Sequence, residues 1–126
     1  MIGVWQKAAA AARSAHLLLE AGDTDGAVNR AYYAMFDAAR SALMSMDPKL
    51  AEAKTHATVI RRFGLHLVKA GHFDSELGRI LNQTEELRLS ADYESDPTGI
   101  AEARLTIEKM DEFVAAISAF LASRQP

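Results

Sequence analysis

From Ala27 to Asp47, and again from Ile100 to Gln125, the chain runs without a glycine or a proline. Ala, Leu and Glu dominate these stretches, and such residues lose little rotamer freedom in a helix. The interruptions fall at Gly22, Asp23-Thr24-Asp25-Gly26, Asp47-Pro48, Gly71 and Glu94-Ser95-Asp96-Pro97-Thr98, each a helix stop, a turn or an N-cap signal. They predict five helices: Val4 to Ala21, Ala27 to Met46, a third capped by Thr55 and ending at Gly71, a fourth capped by Asp74 and running to Tyr93, and Thr98 to Ser123. Lys49 to Lys54 reads as a short helical or irregular piece. No segment has the β-branched alternation of a strand. The expectation is an all-α, up-and-down helical bundle of about five helices, forming one domain over residues 1–126. Tyr32, Phe36, Phe63, Ile80, Val114 and Ile117 should share its core. Trp5, Ala9, Ala12, His16 and Leu19 should form the inward face of the first helix, and Ile107, Met110, Val114, Ile117 and Leu121 that of the last.

Composition excludes several classes of function. The 126 residues are 49% hydrophobic and contain no cysteine, which rules out a disulfide scaffold or a thiolate metal site and fits a reducing cytoplasm. No run approaches the length of a membrane span, and residues 1–12 lack the basic start and leucine-rich centre of a signal peptide, so a cytoplasmic location is expected. A net charge of −3 argues against a general nucleic-acid coat but permits a small basic cleft.

Arg88 breaks the pattern of the fourth helix. Leu77, Leu81, Thr84, Arg88 and Ala91 follow the spacing i, i+4, i+7, i+11, i+14 and so share one face. A guanidinium there must be paired or reach a wet groove, because an isolated buried charge is strongly unfavourable. Asp92 is a same-face partner four residues on. The second helix carries a companion stripe. Tyr32, Met35, Phe36, Ala39, Leu43 and Met46 belong in the core, whereas Arg30, Tyr33, Asp37 and Arg40 lie along another face. Ala31, Ala34, Ala38 and Ala42 fill the arc between and let another helix approach closely.

The run from Asn29 to Arg40, Asn-Arg-Ala-Tyr-Tyr-Ala-Met-Phe-Asp-Ala-Ala-Arg, resembles the second-helix signature of the HEPN family, in its small stand-alone prokaryotic members. The likeness continues through Lys54-Thr55-His56, Phe63 with Lys69-Ala70-Gly71, and Arg88 with Ala91-Asp92-Tyr93. The resemblance implies a bundle that homodimerises and works with a minimal nucleotidyltransferase as a toxin–antitoxin or defence module. Many members are metal-independent endoribonucleases built on an Arg, four to six residues, then a His. In such a pair the Arg stabilises the phosphoryl group, and the His and a ribose 2′-hydroxyl carry the proton chemistry. This chain departs from that pattern: Arg88 leads into Asp92-Tyr93, and no histidine follows His72. Arg61 and His66 have the spacing but sit midway along the third helix.

Two readings compete at this level. In the first, the chain is an interaction module acting with a nucleotidyltransferase, and Arg30, Tyr33, Asp37 and Tyr93 line a polar, nucleotide- or RNA-binding groove with Arg88 and Asp92, at or near a homodimer interface. In the second it is a ribonuclease, with Arg88 on the phosphate and His56 or Asp92 as the acid–base group. An ordinary Asp titrates near 4 and is a poor base at neutral pH, so purified protein alone is expected not to cleave RNA. A third reading, a structural dimerisation module without ligand, needs no site at all. No His-x-x-x-His, calcium loop or glycine-rich phosphate loop occurs, so neither a metal nor a cofactor is expected.

Overall fold

The computed structural model describes residues 3–93 and 96–124, with only the backbone of Asp92. Helix α1 (Val4–Glu20) leads into α2 (Thr24–Met46), a 3₁₀ turn (Pro48–Ala51) and α3 (His56–Phe63). That helix continues as a π turn (Gly64–Val68) and is followed by α4 (Ser75–Tyr93) and α5 (Ile100–Ser123). The expected all-α helical bundle is what forms; among the described residues there is no strand, and no helix is long and apolar enough to cross a membrane.

α2 is the central helix, packed on α1, α5, α4 and α3. Its Ala27, Ala31, Ala34, Ala38 and Ala42 are fully buried, as are Ala8, Ala11 and Ala15 of α1. Two rows of methyl groups let these helices approach closely. That seam corrects the sequence expectation for α1. The buried line is Ala8–Ala11–Ala15, while Trp5, Ala12 and Leu19 pack at its margin and His16 is exposed, 3.0 Å from Asp111. A tryptophan cannot enter a groove that closes on alanine. On α5, Phe113 takes a fully buried place beside Ile107, Met110 and Ile117, and Val114 and Leu121 fall to the edge.

Local signals set the helix ends. Gly22 adopts φ 86° after α1 and Gly71 φ 93° after the π turn, conformations that side chains resist. The Asp23 carboxylate accepts from the Gly26 N–H at 2.8 Å, satisfying an orphan donor of α2. Position 26 tolerates the cap because it is glycine: a Cβ there would lie 2.3 Å from Asp23 Oδ2. Asp23→Ala should therefore lower stability by about 1 kcal/mol in urea titration, and an unchanged midpoint would show that the cap contributes nothing.

Asp25, in the first turn of α2, holds the segment before α5. Its Oδ1 accepts from the Thr98 backbone N–H at 2.8 Å and from the Thr98 hydroxyl at 2.7 Å. These bonds, the backbone one foremost, lower the Asp25 pKa from its ordinary value. A carboxyl whose folded pKa is depressed adds stability above its unfolded pKa and loses it as pH falls through the folded one. Wild type should thus exceed Asp25→Asn in denaturation midpoint at neutral pH, and the gap should close on acidification below about pH 4. A gap that stays constant with pH would remove the charge from this account.

The connection into α3 is pinned from behind. Arg62 Nη1 donates to the carbonyls of Leu50 at 3.2 Å and Glu52 at 2.6 Å, and Thr55 caps α3 by accepting from the Thr58 N–H at 3.2 Å. His56 is therefore placed by a tied loop at the start of a helix. The predicted uninterrupted third helix is instead widened at Gly64–Val68, where Lys69 N–H bonds Gly64 O at 2.8 Å. The π turn keeps both Phe63 and Leu67 buried.

Candidate active site

Tyr32 is fully buried in the middle of α2, and a buried phenol needs a partner for its hydroxyl. It has two. Tyr32 Oη lies 2.9 Å from His56 Nδ1 and donates at 3.3 Å to Glu85 Oε2 on α4. Aromatic rings enclose the imidazole, with Phe36 at 4.2 Å between centroids, and Tyr32 and Tyr33 each at 5.7 Å. Above them stands Arg88, its Cζ 4.6 Å from the Tyr32 ring centre and 5.7 Å from that of Tyr33. Arg30 approaches the Tyr33 ring at 5.5 Å. Guanidinium over an aromatic face contributes about 0.5–2 kcal/mol, more as water is excluded. These ring contacts are part of what holds a cation on an apolar stripe.

Burial, reinforced by the negative charge of Glu85, pushes the Tyr32 hydroxyl well above its ordinary pKa, with Arg88 opposing. Tyr32 therefore stays protonated and acts through hydrogen bonds rather than as a phenolate. Beside His56 opens a cleft of about 290 Å³ lined by Phe36, Arg40, Ala51, Ala53, Lys54, Thr55, His56 and Val59. Its lining is mainly polar, with the cations Arg40 and Lys54 beside Thr55 and His56 and the side chains of Phe36 and Val59 as apolar neighbours.

The residues singled out from sequence are not all brought together. Arg88, His56, Tyr33 and Arg30 come together around Tyr32. Asp37 lies on the same helix but answers to Arg40 at 3.4 Å, and burial raises its pKa while Arg40 pulls it down. Tyr93, expected in the groove, is 88% exposed and turned to solvent: the stripe of α4 reaches the core only as far as Arg88 and Ala91, and two residues further the helix has rotated away. The Asp92 side chain lies outside the described residues. Arg61 is exposed and His66 belongs to the π turn, away from the Tyr32 cluster. Among the described residues no group of three His, Asp or Glu could hold a metal ion.

Sequence reading missed Tyr32 and Glu85 as members of the site. Tyr32 was assigned to the core by periodicity, which is correct for its ring and silent on its hydroxyl. Glu85 lies four residues after Leu81, beside the Arg88 stripe, and the spacing alone marked it as a neighbour of that face.

A helical bundle that seats an arginine, a histidine and a carboxylate around one buried tyrosine of its central helix is the class of protein at hand. The chain belongs to the HEPN family, whose domain profile matches residues 3–121. It is 40% identical over 88 residues to a candidate toxin of Methanocaldococcus jannaschii, covering 70% of this chain and 63% of that one. It is 37% identical over 81 residues to a UPF0332 protein of Gloeobacter violaceus, covering 64% and 62%, and 40% identical over 73 residues to a UPF0332 protein of Pyrococcus horikoshii, covering 56% and 48%. The matched stretches span less than two thirds of those relatives. No solved structure matches the chain.

Proposed function

We propose that this chain is the toxin-like component of a two-component module, paired with a nucleotidyltransferase, and that its site cleaves RNA without a metal. The observation that carries the reading is the shared tyrosine: Arg88 lies over the ring whose hydroxyl bonds His56. The expectation of no cleavage rested on the missing histidine after Arg88. A histidine from the start of α3 stands in the same cluster, so the phosphate-binding and proton-handling groups come from two helices rather than one motif. The name of the M. jannaschii relative supports a toxin-like role. What the family resemblance implies supports the partner and a homodimer.

A 2′-hydroxyl attack leaves a characteristic product. Purified protein incubated with single-stranded RNA in EDTA should yield fragments ending in 2′,3′-cyclic phosphate, and expression alone should arrest growth unless the nucleotidyltransferase is co-expressed. RNA left intact by active-concentration protein, or cleavage abolished by EDTA, would defeat the ribonuclease reading and favour a purely interacting module.

A further inference from the structure

We propose that Glu85, acting through Tyr32, holds His56 with its Nδ1 protonated, so that Nε2 is the proton acceptor presented to a ribose–phosphodiester in the cleft between α2 and the start of α3. This rests on the ribonuclease reading above and adds what the positions of Tyr32 and Glu85 do for it.

The argument is one of counting protons. A phenol has a single proton to donate, and a carboxylate can only accept. Tyr32 Oη contacts Glu85 Oε2 at 3.3 Å and His56 Nδ1 at 2.9 Å. If Tyr32 gave its proton to Nδ1, two acceptor oxygens would face each other at the Glu85 contact. One arrangement satisfies both: Tyr32 donates to Glu85, and Nδ1–H donates to Tyr32 Oη. In a neutral imidazole the lone pair then resides on Nε2. The high pKa of the buried phenol keeps its proton in place for this role.

Nε2 makes no hydrogen bond among the described residues, and His56 lines the cleft with Phe36, Arg40, Lys54, Thr55 and Val59. Charges around the imidazole come from every neighbouring element: Arg40 with the phenols of Tyr32 and Tyr33 on α2, Lys54 on the connection, and Glu85 and Arg88 on α4. Lys54 and Arg40, the latter sharing its charge with Asp37 at 3.4 Å, suit a phosphodiester, and Phe36 and Val59 suit the sugar or base edge. The cleft, at about 290 Å³, is at the small end for ligand sites. In the step proposed, the ribose O2′–H bond breaks and its proton goes to Nε2. O2′ forms a bond to phosphorus, and the P–O5′ bond breaks with its electron pair leaving on O5′. That oxygen takes a proton from water, and the imidazolium returns its own to solvent. Tyr32 and Glu85 touch no substrate and are positioning residues.

The test reads the tautomer directly and the reaction separately. Nitrogen-15 NMR of the wild-type histidines should show His56 protonated at Nδ1 and bare at Nε2 above its titration. Tyr32→Phe removes only the hydroxyl, and Glu85→Ala, on a partly exposed helix face, removes the acceptor if the first variant folds poorly. Either should shift His56 towards the Nε2–H form. Cleavage should fall by at least 10-fold with RNA affinity unchanged, and in His56→Ala by about 100-fold or more. A wild-type His56 protonated at Nε2, or a tautomer and rate both indifferent to Tyr32→Phe and Glu85→Ala, overturns the relay. Wild-type protein with the Nδ1–H tautomer and no cleavage of any RNA would instead overturn the ribonuclease reading and uphold the relay.

Discussion

On the ribonuclease reading proposed above, Arg88→Ala is expected to reduce RNA cleavage by about 10²–10³-fold, the usual effect of removing one group that stabilises developing negative charge. Its guanidinium is held over Tyr32 and Tyr33, partly buried, so it is oriented before a phosphate arrives and little reorganisation remains to be done in the transition state. Arg88→Lys should recover only part of the loss, because an ammonium lacks the planar fork and the stacking surface that this position uses. The variants also separate chemistry from folding. Arg88 is only partly buried, so its removal should lower thermal stability far less than it lowers rate. Single-turnover cleavage, measured beside a denaturation curve, checks both. A full rate in Arg88→Ala would remove it from the site, and unfolding at ambient temperature would make it a structural residue first.

Phe36→Ala should cost about 3–5 kcal/mol in unfolding free energy, the range for deleting a large aromatic ring from a packed core. Phe36 is 6% exposed and its ring centre lies 5.8 Å from Tyr32 and 4.2 Å from His56. The surroundings cannot collapse into the void without moving the imidazole, since the ring packs between the core and the cleft wall. The same substitution should therefore loosen the site, broadening the His56 resonances, whereas Phe36→Leu keeps most of the volume and should cost clearly less. Chemical denaturation gives the number. A loss below about 1 kcal/mol would place Phe36 at the surface of the packing, against its burial.

The helices were legible because their signals are local. Caps at Asp23 and Thr55, left-handed glycines at 22 and 71, and the unbroken run of α2 depend on neighbours within a few residues, and helix periodicity then assigns faces to Tyr32, Phe36, Phe63 and Ile117. Arg88 stood out for the same reason: a charge on an apolar stripe is visible without any fold. What the periodicity could not convey is how far each face turns inward. The alanine seam between α1 and α2 displaced Trp5 and His16 to the rim, and the π turn rephased the end of α3, because close packing selects among nearly equivalent rotations of a helix.

The site required more. By itself the amino-acid sequence determined the helical class, the family signature around residues 29–40 and the unusual arginine. The tertiary structure alone decided which groups meet: Tyr32, His56 and Glu85 are far apart in the chain, and their hydrogen bonds exist only when α2, α3 and α4 pack. Spacing rules find catalytic pairs that ride on one helix, since a helix fixes its own angles. A constellation spread over three helices is set by the packing of all three, and no local pattern encodes it.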